Sequence, residues 1–117
     1  MKYVLMFVDT EQFAADLAGM DDTERERAYG RVQQWFADNH DKIMHHRQLM
    51  PGDSATTVRL DRGDPLITDG PFVEGKEVVS GFIEVEADNL DDVLKLVRSW
   101  PGCPVVEIRP VELTPLG

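Results

Sequence analysis

Cysteine is nearly absent: Cys103 is the only one in 117 residues, so no disulfide can form within the chain and no cluster of thiolates can hold a metal. Basic residues are also short, with 12 Lys and Arg against 22 Asp and Glu, a formal charge of −10. Polyanions are bound by Lys and Arg releasing counterions, so this balance excludes nucleic acid and anionic membrane surfaces as expected partners. Long apolar runs are missing as well. The run at residues 3–8 is the first candidate, and six residues followed by Asp9 are too few for a signal-peptide core or a membrane span. These absences describe a cytoplasmic, soluble protein whose acidic surface keeps it dispersed.

What is present suits one domain over residues 1–117. The apolar share is 42% and the mean hydropathy −0.31, both ordinary for a globular chain. Residues 2–8 read as a strand apolar on both faces, which suits the buried middle of a sheet. A short helix at 11–18 is stopped by Gly19. Thr23, three residues before Glu26, has the spacing of a capping box, and Ala28, Val32, Trp35 and Phe36 then fall on one helical stripe. Residues 43–50 form a second strand ended by Pro51-Gly52. Residues 55–61 alternate, and Arg62-Gly63-Asp64 returns the chain through 65–68 as a hairpin. Residues 78–86 form the next strand, with Gly81 marking a bulge or a close backbone approach. Asp88 caps a helix carrying Leu90, Val93, Leu94 and Val97, ended by Trp100-Pro101-Gly102. Residues 105–111 close the chain as a strand.

The order is strand–helix–strand, a hairpin excursion, then strand–helix–strand. Two such units in one antiparallel sheet, with the helices on one face, give an α+β ferredoxin-like protomer. The other face stays open, and homodimerisation through it is expected.

Chemistry concentrates in residues 69–77. Asp69-Gly70 permits a turn with positive φ, Pro71 fixes the chain leaving it, and Phe72 can anchor the segment. A rigid loop can aim Asp69, Lys76 or Glu77 at a ligand, although turn residues most often serve only the turn. Arg59 can bind a carboxylate in two places; a surface ion pair is the equal alternative. His46 can act as a general base, and so can His45, since the sequence does not say which faces a cleft. Adjacent strand positions point to opposite faces, so the two histidines cannot chelate one ion, and no metal or cofactor is expected. His40 sits at a helix end, where it favours the dipole. Cys103, without a base beside it, reads as an inert turn thiol, and Trp35 and Trp100 as anchors of the core or an interface.

Asp69-Gly70-Pro71-Phe72, with Glu74 and Lys76-Glu77 behind it, resembles the signature of the DGPF-domain proteins, a branch of the YCII-related family. The resemblance continues in Met1-Lys2-Tyr3, Leu49-Met50-Pro51, Thr56-Thr57-Val58-Arg59, Leu90-Asp91-Asp92-Val93 and Val106-Glu107-Ile108-Arg109-Pro110. It implies a dimeric α+β barrel built on the ferredoxin-like protomer. It implies a small-molecule enzyme or binding protein with polar residues in a cleft; the alternative is a regulatory protein working with an extracytoplasmic-function sigma factor. The chain departs from the family where His40-Asp41-Lys42-Ile43-Met44-His45-His46-Arg47 replaces a glycine-rich strand start, and where Ser80-Gly81-Phe82-Ile83 replaces a Gly-Gly-Tyr-Tyr-like run.

Overall fold

The computed structural model describes residues 1–61, 63–70 and 77–112. Strand β1 (Lys2–Thr10) leads into α1 (Glu11–Gly19) and α2 (Asp22–Asp38), then β2 (Ile43–Gln48). A 3₁₀ turn (Gly52–Ser54) opens a hairpin of β3 (Thr56–Arg59) and β4 (Leu66–Asp69), followed by β5 (Glu77–Glu86), α3 (Leu90–Arg98) and β6 (Val105–Pro110). Four strands form an antiparallel sheet in the order β2-β5-β1-β6, and β3 and β4 pair separately. With the hairpin set aside, the spatial order of strands is second, third, first, fourth, which is the ferredoxin-like arrangement expected from the element order.

The core lies on one face of this sheet. Tyr3, Leu5 and Phe7 of β1 and Ile83 and Val85 of β5 are buried together with Trp35 of α2 and Val93 and Leu96 of α3. Alternation puts Val4, Met6 and Val8 on the other face, where they are only half-buried. The expectation of a first strand buried on both sides is therefore corrected: β1 is central, but helices cover one face only.

Caps and ties fix the helices. Thr10 accepts a hydrogen bond from the Phe13 amide and starts α1. Asp21, not Thr23, caps α2 by accepting from the Glu24 amide at 2.8 Å, and Asn89, not Asp88, caps α3 through the Asp92 amide at 3.0 Å. In both places the residue with extended backbone lies one or two positions away from the one that composition favours. Arg25 donates to the carbonyls of Leu17, Ala18 and Met20, so one guanidinium satisfies the exposed end of α1 and ties it to α2. The Trp35 indole donates to Ser99 Oγ at 2.9 Å, which locks α2 against the end of α3.

Gly81 lies where β5 is crowded. A Cβ there would stand 2.8 Å from the Arg47 carbonyl oxygen of β2. The register with β1 slips beside it, from Phe7 opposite Gly81 to Val8 opposite Val79, leaving Ser80 as the extra residue of a bulge. Both features that Gly81 announced are present.

The hairpin stands apart. Every residue of β4 is exposed, and the arm packs chiefly on itself among the described residues. The molecule measures 48 × 45 × 18 Å with a radius of gyration of 16.4 Å; a compact domain of this length would have one of about 13 Å. The thickness admits one sheet and one helix layer, so the arm extends beyond the sheet's outline and does not fold back over it. Among the described residues, no helix is long and apolar enough to cross a membrane.

Candidate functional site

The sequence-derived candidates divide between the arm and the sheet. Asp69 ends β4 opposite Thr56, and Arg59 ends β3 opposite Leu66. Alternation then places Asp69 with Thr56, Val58 and Ile67 on one face of the arm, and Arg59 with Thr57, Leu66 and Thr68 on the other. The two are not brought together within one arm. Arg59 Nε lies 3.9 Å from Asp61 Oδ1, an exposed pairing of the kind its sequence context allowed. Glu77 opens β5 opposite Thr10 and is exposed. Lys76, with Pro71, Phe72 and Glu74, lies outside the described residues.

The turn after Asp69 is held as its composition requires. Gly70 has φ +103°, a region that side chains avoid. Its amide donates to the Ala55 carbonyl at 2.7 Å, and its own carbonyl accepts from Thr57 Oγ1 at 2.6 Å. The two ends of the hairpin are thus pinned to each other.

The two histidines take opposite faces. His46 stands opposite Ile83, on the helix side; its ring stacks on Phe36 of α2 with centroids 4.2 Å apart. Phe36 meets Trp100 edge-on at 5.9 Å, and Trp100 stacks on Phe7 at 4.3 Å. Four rings thus run in series from the edge strand β2 to the central strand β1. His46 itself remains exposed. His45 points to the open face, with Nε2 4.0 Å from Glu84 Oε2, and Lys2 Nζ reaches the other oxygen of that carboxylate at 4.0 Å.

A polar pair that the sequence did not announce lies at the end of β1. Ser80 Oγ donates to Asp9 Oδ1 at 3.0 Å and also approaches the Phe7 carbonyl at 3.3 Å. Gly81 marked the bulge, but nothing local in sequence links Ser80 to a residue 71 positions earlier. By register Ser80 lies one strand from His46 and three residues along β5 from its partner Ile83, and Asp9 lies one strand further. Cys103 is buried, and burial pushes its thiol up from the ordinary 9.0, in keeping with an inert role. A shallow groove of about 540 Å³ at the opposite end of the sheet is lined by Asn39, Lys42, Glu86, Asp88, Lys95 and Ser99 among others, and by none of the candidates above.

The open face is ordered in rows across the strands. One row reads Arg109, Val4, Glu84, His45; the next reads Glu107, Met6, Phe82, Arg47. The row beyond, nearest the arm, is Val105, Val8 and Val79. The middle row therefore has an apolar centre between charged edges.

Comparison with known proteins is consistent with this architecture. An uncharacterised protein of Rhizobium meliloti (strain 1021) is 27% identical over 117 residues, covering 97% of this chain and 94% of its own. Among solved structures, 5-chloro-2-hydroxyhydroquinone dehydrochlorinase from Burkholderia phenoliruptrix AC1100, in complex with 2,5-dihydroxybenzoquinone, superposes with a TM-score of 0.56. It is 14% identical, and the match covers 96% of this chain and 94% of that one. A likeness at that identity speaks for the fold. The family model of the YCII-related domain matches residues 1–113, and the chain belongs to the YCII-related family.

Proposed function

We propose that the chain is a cytoplasmic, homodimeric small-molecule enzyme or binding protein whose ligand is a small planar organic molecule held at the exposed ring of His46. The observation that carries this reading is the series His46–Phe36–Trp100–Phe7, an aromatic wall ending in a ring that remains open to solvent. Aromatic faces bind planar rings through burial and stacking, and an imidazole at the rim can accept a proton from a bound hydroxyl. The dehydrochlorinase with the same fold was solved with a dihydroxybenzoquinone, a ligand of that chemical class.

In this reading His46 is the base and Asp69 the acid. Arg59 and Lys76 bind an anionic group of the ligand, and Glu77 lies at the mouth. Asp69 and Arg59 lie on opposite faces of one arm, so they reach a common ligand only from the arms of two protomers. Nothing in the described geometry favours the sigma-factor alternative.

Calorimetric titration with 2,5-dihydroxybenzoquinone, and thermal-shift screening with hydroxylated aromatic acids, test the proposal. Saturable binding that Phe36→Leu and His46→Ala weaken at least tenfold is expected. Failure of every compound to raise the melting temperature at millimolar concentration, with both variants indistinguishable from the parent, overturns it.

A further inference from the structure

The chain has only four lysines, Lys2, Lys42, Lys76 and Lys95, and two of them line one groove. This is the groove of about 540 Å³ at the end of the sheet away from the arm. Asn39 and Lys42 reach it from the end of α2 and the turn after it, and Lys95 and Ser99 from α3 and its end. The last residues of β5 and the link to α3 complete it.

One residue ties both walls. The Trp35 carbonyl accepts from Asn39 Nδ2 at 2.8 Å, and the Trp35 indole donates to Ser99 Oγ at 2.9 Å. Ser99 Oγ donates in turn to the Leu96 carbonyl at 2.9 Å. Val85, Val93 and Leu96 at the floor are buried core residues. The shape of the groove is therefore set by core contacts and does not depend on its charged rim.

That rim is not neutralised from within. Among the described residues, the side chains of Lys42, Lys95, Asp88 and Asp92 enter no ion pair. Asp92 and Lys95 lie one turn apart on α3, about 4.5 Å along its axis, a spacing at which such pairs commonly close. Glu86, the remaining charged residue of the groove, is engaged by the Met1 amino group at 3.8 Å. A lysine that served only the dipole of α3 would duplicate Arg98, which stands in the same last turn. Two ammonium groups and two carboxylates thus line one groove, all exposed, with their charges available.

We infer that this groove binds a small zwitterion, a free α-amino acid with an aliphatic side chain. The amino acid's carboxylate accepts from Lys42 and Lys95, its ammonium donates to Asp88 and Asp92, and its side chain lies along Ala87 and the apolar floor. A purely anionic ligand would meet Asp88 and Asp92, and a purely cationic one would meet the two lysines. A molecule carrying both charges leaves no group of the rim opposed. The groove has the volume of a small-molecule site. It shares no residue with the His46 wall, so the two sites stand or fall independently.

Calorimetric titration of the full chain with L-leucine, leucinamide and N-acetyl-leucine tests this, since the last two each lack one charge. Saturable binding of L-leucine is expected, with each analogue about tenfold weaker or worse, the cost of leaving a charged group without its partner. Lys42→Ala/Lys95→Ala and Asp88→Asn/Asp92→Asn change exposed positions, so their circular dichroism should match the parent. Each should lose affinity for L-leucine by a similar factor. Either analogue binding as tightly as L-leucine, or either variant keeping the parental affinity, overturns the zwitterion assignment. Absence of saturable heat with L-alanine, L-valine and L-leucine at millimolar concentration overturns the site itself.

Discussion

The imidazole of His46 rests on the ring of Phe36 with planes 30° from parallel, a contact between an edge strand and the helix above it. Stacked rings contribute about 0.5–1.5 kcal/mol beyond their buried area. A double-mutant cycle with His46→Ala and Phe36→Ala, followed by urea unfolding, should give a coupling energy in that range. Strict additivity would mean that the two rings merely lie side by side.

Gly81 and Gly30 should respond in opposite directions to the same change. A Cβ at Gly81 meets the Arg47 carbonyl, and β2 must shift to relieve it; Gly81→Ala should cost about 1–3 kcal/mol, as overpacking does. A Cβ at Gly30, inside α2, meets nothing within 4 Å. Gly30→Ala should stabilise by about 0.5–1 kcal/mol, because glycine is the poorer residue in a helix interior. Chemical denaturation of both variants reads the two signs directly.

The cap at Asp21 makes α2 sensitive to acid. Hydrogen bonding from the Glu24 amide holds the Asp21 carboxyl below its ordinary value of 3.8. A carboxyl whose pKa is lower folded than unfolded contributes stability above the unfolded value, and that contribution fades as pH falls through the folded one. The stability difference between the parent and Asp21→Ala should therefore be full at pH 6 and shrink below pH 4. Asn89→Ala, which removes the cap of α3, should cost about 1 kcal/mol at either pH, since the amide does not titrate.

Cys103 should resist alkylation while the protein is folded. Its thiol is buried, and desolvation raises its pKa, so both access and thiolate are scarce. Iodoacetamide at pH 8 should label it many-fold faster in urea than in buffer. Equal rates would place the thiol outside the core.

The strand and helix order could be read from the sequence because each element carries its own period, and that order specifies a ferredoxin-like sheet. The stripe of Val32, Trp35 and Phe36 and the irregularity at Gly81 were equally visible. Neighbouring residues compete for the caps, so Asp21 and Asn89 could not be told from Thr23 and Asp88 by composition. The face taken by His45 or His46 depends on the bulge between Ile43 and His45, a property of the pairing with β5 and not of β2 alone. The Ser80–Asp9 bond joins positions far apart in the chain, and no local pattern foretells it. Asp69 and Arg59 could each be singled out by residue type; that they take opposite faces of the arm follows from the parity of the register, which only pairing reveals.

The outermost strands also determine how the protein behaves when crowded. A sheet that ends in free backbone can recruit another strand and grow without limit. Here β2 is broken by its irregularity near Met44 and carries His45, His46 and Arg47, while β6 finishes in Arg109 and Pro110, which has no amide to offer. Lateral growth into fibrils is thereby discouraged at both margins.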